Sequence, residues 1–118
     1  MEITLYNVSG SPEAYIADNG EDIYLWSGKV VAYVNNERIF GWNGRHLGWF
    51  IDGVVYDLSG RRVGFAKGKC PVAVYAEPAK FAKFAKPARC AKCASYARSA
   101  LSTAYSDIEL VKFLEEGS

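Results

Sequence analysis

Between Leu5 and Ala66 the apolar and polar positions recur in a unit of sixteen to eighteen residues, repeated four times. The copies superpose without a gap on Gly10, Gly28, Gly44 and Gly60. Five residues before each glycine stands an aliphatic residue (Leu5, Ile23, Ile39, Val55), and four before it an aromatic one (Tyr6, Tyr24, Phe40, Tyr56). Ser9, Ser27, Asn43 and Ser59 precede the glycines directly, and the pairs Ala14-Tyr15, Ala32-Tyr33, Gly48-Trp49 and Gly64-Phe65 follow four and five residues later. Ser-Gly or Asn-Gly between runs of β-branched and aromatic residues signals a two-residue hairpin, because primed turns require residues that accept positive φ. Each copy therefore predicts one β-hairpin.

With the turn at Ser27-Gly28, Tyr24 is expected to face Val31 and Ile23 to face Ala32, with the same rule in every copy. One face then pairs aromatics with mostly branched partners. The other pairs large with small, as in Ile39 with Gly48 and Val55 with Gly64, and is expected to be the crowded one. A lone hairpin is marginal in water, so the four should pack around a pseudo-fourfold axis. The predicted fold class is mainly β: four hairpin repeats, then an extended segment and a short C-terminal helix. Residues 1–68 would form the repeat domain, with residues 69–118 packed on it.

In these features, and particularly in DIYLWSGKVVAYV, GWNGRHLGWF and VVYDLSGRRVGF, residues 3 to 66 resemble the bacterial four-fold β-flower family of small proteins. The resemblance implies a fold, an unassigned activity and no catalytic residues. Members of that family often carry proline-rich, lysine-containing triplets in a tail. This chain keeps the triplet rhythm with Ala and Phe in place of most prolines.

From Ala79 to Leu101 the chain reads in threes: PAK, FAK, FAK, PAR, CAK, CAS, YAR, SAL counted from Pro78. A period of three matches polyproline II. It would place Lys80, Lys83, Lys86, Arg89, Lys92 and Arg98 on one ridge and Phe81, Phe84, Pro87, Cys90, Cys93 and Tyr96 on another, and the aromatic ridge is expected to dock on the repeat domain. A helix from Ala88 onward, after Pro87, competes, since Ala, Lys and Arg favour helices. Ser106 to Glu109 has the pattern of a capping box, and Ile108, Leu110, Val111, Phe113 and Leu114 provide an apolar face, predicting a helix over residues 107–116.

The 118 residues are half apolar and include three Trp, eight Tyr and six Phe, too rich in core-forming residues for a disordered chain. The start carries no basic and apolar leader pattern, and no run approaches the ~20 apolar residues of a membrane span, which point to a cytoplasmic protein. Three cysteines suit a reducing compartment better than a disulfide framework. The net charge of +1 hides a division. Residues 1–66 carry net −3, residues 67–101 net +7 and residues 102–118 net −3.

Between the hairpins, Asp18, Glu21, Asp22, Glu37 and Asp52 gather at one end of the domain, while Lys29, Arg45, His46, Arg61 and Arg62 lie at the turn end. That basic rim, with its turn amides, is the first candidate site, for an anion or an anionic partner protein. The basic segment is the second: phosphate pairing by its cations and stacking by Phe81, Phe84 and Tyr96 would suit nucleic acid or another anionic surface. Self-docking on the acidic links competes with that reading, and exposed aromatics would permit self-association. Cys90-Ala91-Lys92-Cys93, with Cys70 and His46, has zinc or thiol spacing. The same spacing also follows from the triplet rhythm, so the cysteines are expected to be buried packing residues, with no metal and no cofactor. His46 at a tip opposite Gly41 has no evident orienting acid, and Asp57 is expected to pair with Arg62 across its hairpin. No nucleophile motif, phosphate loop or carboxylate pair stands out, so the expectation is a non-enzymatic binding module.

Overall fold

The computed structural model describes residues 2–98 and 100–118. Eight antiparallel strands pair in sequence order and close on themselves: β1 (Ile3–Asn7), β2 (Pro12–Ile16), β3 (Asp22–Leu25), β4 (Val30–Asn35), β5 (Arg38–Gly41), β6 (His46–Ile51), β7 (Val54–Asp57) and β8 (Arg62–Ala66). The closing pair sets Leu5 opposite Ala66 and Tyr6 opposite Phe65. The extents, 37 × 36 × 23 Å, are those of a disc. Strands of four to six residues span roughly 13–20 Å, so they fit along the short axis. Among the described residues no helix is long and apolar enough to cross a membrane.

Register follows the expected pairing in the body of each hairpin and departs from it near the tip. Ile23 faces Ala32 and Ile39 faces Gly48, as the repeat predicts. One residue later a bulge intervenes, and Tyr24 faces Val30 rather than Val31, Phe40 faces His46 and Tyr56 faces Arg62. The cause is the turn. Gly28 N–H donates to Leu25 O and Leu25 N–H to Lys29 O, both at 2.9 Å, so the tip is a three-residue loop, Trp26-Ser27-Gly28, with only the glycine at positive φ. The same bonds recur at Asn7 to Gly10, Gly41 to Gly44 and Asp57 to Gly60. Two-residue loops with both residues at positive φ do occur, but in the links: Asn36-Glu37 and Asp52-Gly53.

The bulge decides what faces inward. With one extra residue in the even strand, Val31 and Ala32 both enter the core, as do Leu47 and Val63 in their copies. They join Leu5, Ile23, Ile39 and Val55, each fully buried. The aromatics lie on the outer face: Tyr15, Tyr24, Tyr33, Phe40 and Trp42 form a separate buried cluster there. In the first copy the inward bulge position is Glu13. Asn7 and the Val111 amide favour its ionised form, but burial outweighs both and pushes its pKa up; its Oε1 has no partner.

The tip end of the barrel is plugged by α1 (Leu110–Glu115), which buries Leu110, Phe113 and Leu114. A Cβ on Gly64 would lie 3.0 Å from Leu110 Cδ1, and one on Gly48 would meet Tyr56 O and Phe113, so these glycines make room for the plug as well as for neighbouring strands. The helix starts three residues later than predicted, because Ser106 does not cap it. Its Oγ instead donates to Asp57 Oδ2 (2.7 Å) and accepts from Ile108 N–H (3.2 Å). Asp57 is thereby diverted from Arg62: its Oδ1 accepts from the Ser59 and Arg61 amides.

Candidate functional site

Between barrel and helix the chain runs as an extended belt around the disc, with no helix in residues 73–98. Its backbone donors are spent on the hairpin tips at intervals of nine residues. The amides of Tyr75, Phe84, Cys93 and Ser102 donate to the carbonyls of Gly10, Gly28, Gly44 and Gly60 at 2.9, 3.0, 2.8 and 3.0 Å. Between them, Phe81 and Cys90 N–H reach Trp26 and Trp42 O. Ala73, Ala82 and Ala91 bring their carbonyls so close to Gly10, Gly28 and Gly44 that a Cβ there would collide with them. Three triplets thus measure one hairpin. That equivalence could have been read from Pro78 and Pro87, Lys80 and Arg89, and Lys83 and Lys92.

The ridge that faces the barrel is the cationic one, contrary to expectation. Adjacent hairpins meet in seams of stacked rings, Tyr15 on Tyr24 at 5.6 Å and Tyr33 on Phe40 at 5.7 Å, with Trp26 and Trp42 edge-on beside them. Lys80 lies 4.8 Å from the Tyr15 centroid and 5.2 Å from Trp26, and Lys83 5.2 Å from Tyr24. One seam on, Arg89 lies 4.0 Å from Tyr33 and 5.6 Å from Trp42, and Lys92 5.5 Å from Phe40. The face of a π system attracts a cation, whereas a Phe placed there would offer no charge complement. Phe81, Phe84 and Tyr96 are accordingly 68, 64 and 61% exposed.

Carboxylates complete the fastening. Glu2 accepts from Lys80 (2.8 Å) and Lys83 (3.1 Å), bonds that hold its carboxyl below the usual range and raise Lys83. Lys86 reaches the buried Asp22 at 2.8 Å, Lys69 reaches Asp52 at 3.6 Å, and Lys92 donates to Asn35 Oδ1. Asp22 and Asp52, from the acidic links, therefore meet this segment, and Glu2, which no sequence pattern singles out, takes two of its cations. Arg98 is exposed.

At the tips the five predicted rim residues divide. Lys29, Arg45 and Arg61, each directly after its tip glycine, are exposed. Arg61 also lies 3.7 Å from Asp107. Arg62 is covered: its guanidinium lies 4.6 Å from the Tyr105 ring and 5.4 Å from Phe65, and it donates to Thr103 O. His46 is 3% exposed, enclosed by Phe40, Trp49 and Tyr96. Its Nε2 donates to Gly48 O at 2.9 Å, and its Nδ1 accepts from Tyr96 N–H at 3.0 Å. Both bonds are satisfied together only by the neutral ring with its proton on Nε2. Burial, aided by the charge of Arg38, holds its pKa below the ordinary value. Several turn amides expected to greet an anion are already occupied, since Asn7, Asn43 and Asp57 side chains accept from Ser9, Ser11, Arg45, Ser59 and Arg61 N–H.

Cys90 and Cys93 are exposed rather than buried, because their ridge points outward, and Cys70 is partly covered. Among the described residues no three His, Cys, Asp or Glu side chains gather as a metal site.

No curated protein and no solved structure matches this chain. The family described as 4-fold beta flower protein matches residues 3–114, which include the barrel, the belt and most of the plug. The match covers nearly the whole chain and agrees with the closed barrel of four hairpins: the protein belongs to the 4-fold beta flower family.

Proposed function

We propose that the protein is a non-catalytic interaction module whose binding surface is the tip rim of the disc, and that it takes an anionic partner. The observation that carries this reading is the placement of Lys29, Arg45 and Arg61. Three of the four hairpins present an exposed cation at the same turn position. Exposed Tyr75, Phe81 and Phe84 flank the first two tips and would add apolar and stacking contact. His46 and Arg62 would support the rim from beneath rather than touch the ligand. Retention on an immobilised polyanion, heparin, tests the reading: wild type should be held and released by salt, and a Lys29→Ala, Arg45→Ala, Arg61→Ala variant should elute much earlier. Equal retention of the two would sink it.

A second reading, nucleic-acid binding along the belt, is favoured by the outward Phe81, Phe84 and Tyr96, which are free to stack on bases. It would have to recruit cations now held on rings and carboxylates. Single-strand binding lost on Phe81→Ala with Phe84→Ala, but kept by the rim variant, would select this second reading. A zinc- or thiol-dependent role would rest on exposed Cys90 and Cys93; stoichiometric metal in the purified protein would replace both readings.

A further inference from the structure

The belt touches its barrel through a set of contacts that repeats. At each of four tips one amide bonds to the glycine carbonyl, at two tips a second amide bonds to the Trp26 or Trp42 carbonyl, and a cation pair rides over the ring seam behind. Every one of these contacts is made to a surface that a second copy of the chain presents identically. Attachment is also shallow. From Pro71 to Arg98 every described residue except Lys80 is exposed, and the belt's own backbone bonds lead outward to the tips. The first seam is the less complete one: Trp42 Nε1 donates to Pro87 O at 2.9 Å, while the equivalent buried Nε1 of Trp26 has no acceptor.

A seam that loses its belt cannot stay open. Tyr15, Tyr24, Tyr33, Phe40 and Trp42, now 8% exposed or less, would meet water. What fills such a seam must be extended, must offer an amide every nine residues and must carry cations three residues apart. The belt of another copy meets all three requirements, and its residues 71–101, net +5, complement a net −3 barrel. Gly68, at φ +91 with open space around it, gives the chain a pivot before the belt begins.

We propose that residues 71–118 exchange between copies, so that the belt and plug of one chain dock on the barrel of another. The docking surface is the ring of tip seams, its occupant is the same segment of a second copy, and this goes beyond the anionic rim without depending on it. Exchange between identical elements needs no new contact, only release of the old one. Because a tethered segment competes at an effective concentration on the order of mM, dilute protein should be closed monomer and concentrated protein mixed.

The existing ion pairs supply the test. Isotope-labelled and unlabelled full-length chains are unfolded together, refolded at about 10 µM, well below that effective concentration, and at about 1 mM, comparable with it, and treated with a zero-length carbodiimide that joins amines to carboxylates. Digestion then reports which chains were joined. The Glu2–Lys80 pair spans barrel and belt at 2.8 Å, whereas Lys69–Asp52 at 3.6 Å lies outside residues 71–118, with the Lys69 amide held on Ala66 O at 3.0 Å, and should stay within one chain. Exchange predicts mixed-label Glu2–Lys80 products that rise with concentration towards about half of all linked pairs, with Lys69–Asp52 remaining same-label. Same-label products for both pairs at both concentrations would overturn the proposal. Mixed labels in both pairs would overturn it too, since that is random collision.

Discussion

Single residues here often answer two demands at once, and the second demand is the one hidden from the sequence. Gly28 accepts φ +99 at a tip, which the Ser-Gly pattern announces; it also lets the Ala82 carbonyl pass where a Cβ would be, which nothing local announces. Gly20 has φ +75 but nothing within 4 Å, so it isolates the first demand. Gly28→Ala should therefore cost about 1–3 kcal/mol more than Gly20→Ala in denaturant unfolding, through backbone collision with the belt. His46 is another such residue. Read as a rim cation, it is in fact a neutral acceptor for Tyr96 N–H, which became visible only once the bulge had turned it under the belt. Its folded-state pKa is depressed, so between that value and about 6.5 the unfolded chain binds more protons and stability rises with pH. The stabilisation is fully present above about 6.5 and is lost as pH falls through that window. The difference in unfolding free energy between wild type and His46→Gln, followed from pH 7 downwards, should shrink in the same sense. A difference independent of pH would show that His46 does not titrate as assigned.

At the scale of elements, the hairpins and the extended tail were legible because periods of two and three are imposed by backbone geometry. Which ridge of the tail faces inward was not. Hydrophobicity nominates Phe81 and Phe84, but the surface they would meet is a wall of π faces, and such a wall takes Lys80, Lys83, Arg89 and Lys92 instead. The two assignments predict opposite outcomes of thermal or chemical unfolding. Lys80→Ala with Arg89→Ala should destabilise by about 1–3 kcal/mol, the worth of their four cation–π contacts on two ring seams together with the Lys80–Glu2 pair. Phe81→Ala with Phe84→Ala should stay within about 0.5 kcal/mol, as exposed substitutions do. Helix α1 was legible in its apolar face and misread at its start. A capping box is a local pattern, and Ser106 is claimed by a longer-range partner, Asp57.

For the molecule as a whole, a fourfold barrel is closed by a chain that is itself fourfold, three triplets to a hairpin, and then breaks the symmetry by inserting one helix at the tip end. The break is written at equivalent positions: Val31, Leu47 and Val63 face the plug's apolar side while Glu13 meets the Val111 amide. The repeat revealed four hairpins because each is a contiguous segment. It could not reveal the belt's path, since the partners Tyr75 and Gly10, or Ser102 and Gly60, lie more than forty residues apart and are joined by main-chain atoms common to any sequence. The central claim is that this path exists, with one amide fixed at each tip. Native-state amide exchange across residues 71–105 measures it residue by residue. Tyr75, Phe84, Cys93 and Ser102 should be protected at nine-residue intervals, with Phe81 and Cys90 between them and Tyr96 held on His46 Nδ1, while the amides of residues such as Ala79, Ala82 and Ala88 exchange freely. Uniformly fast exchange along the whole segment would contradict the account.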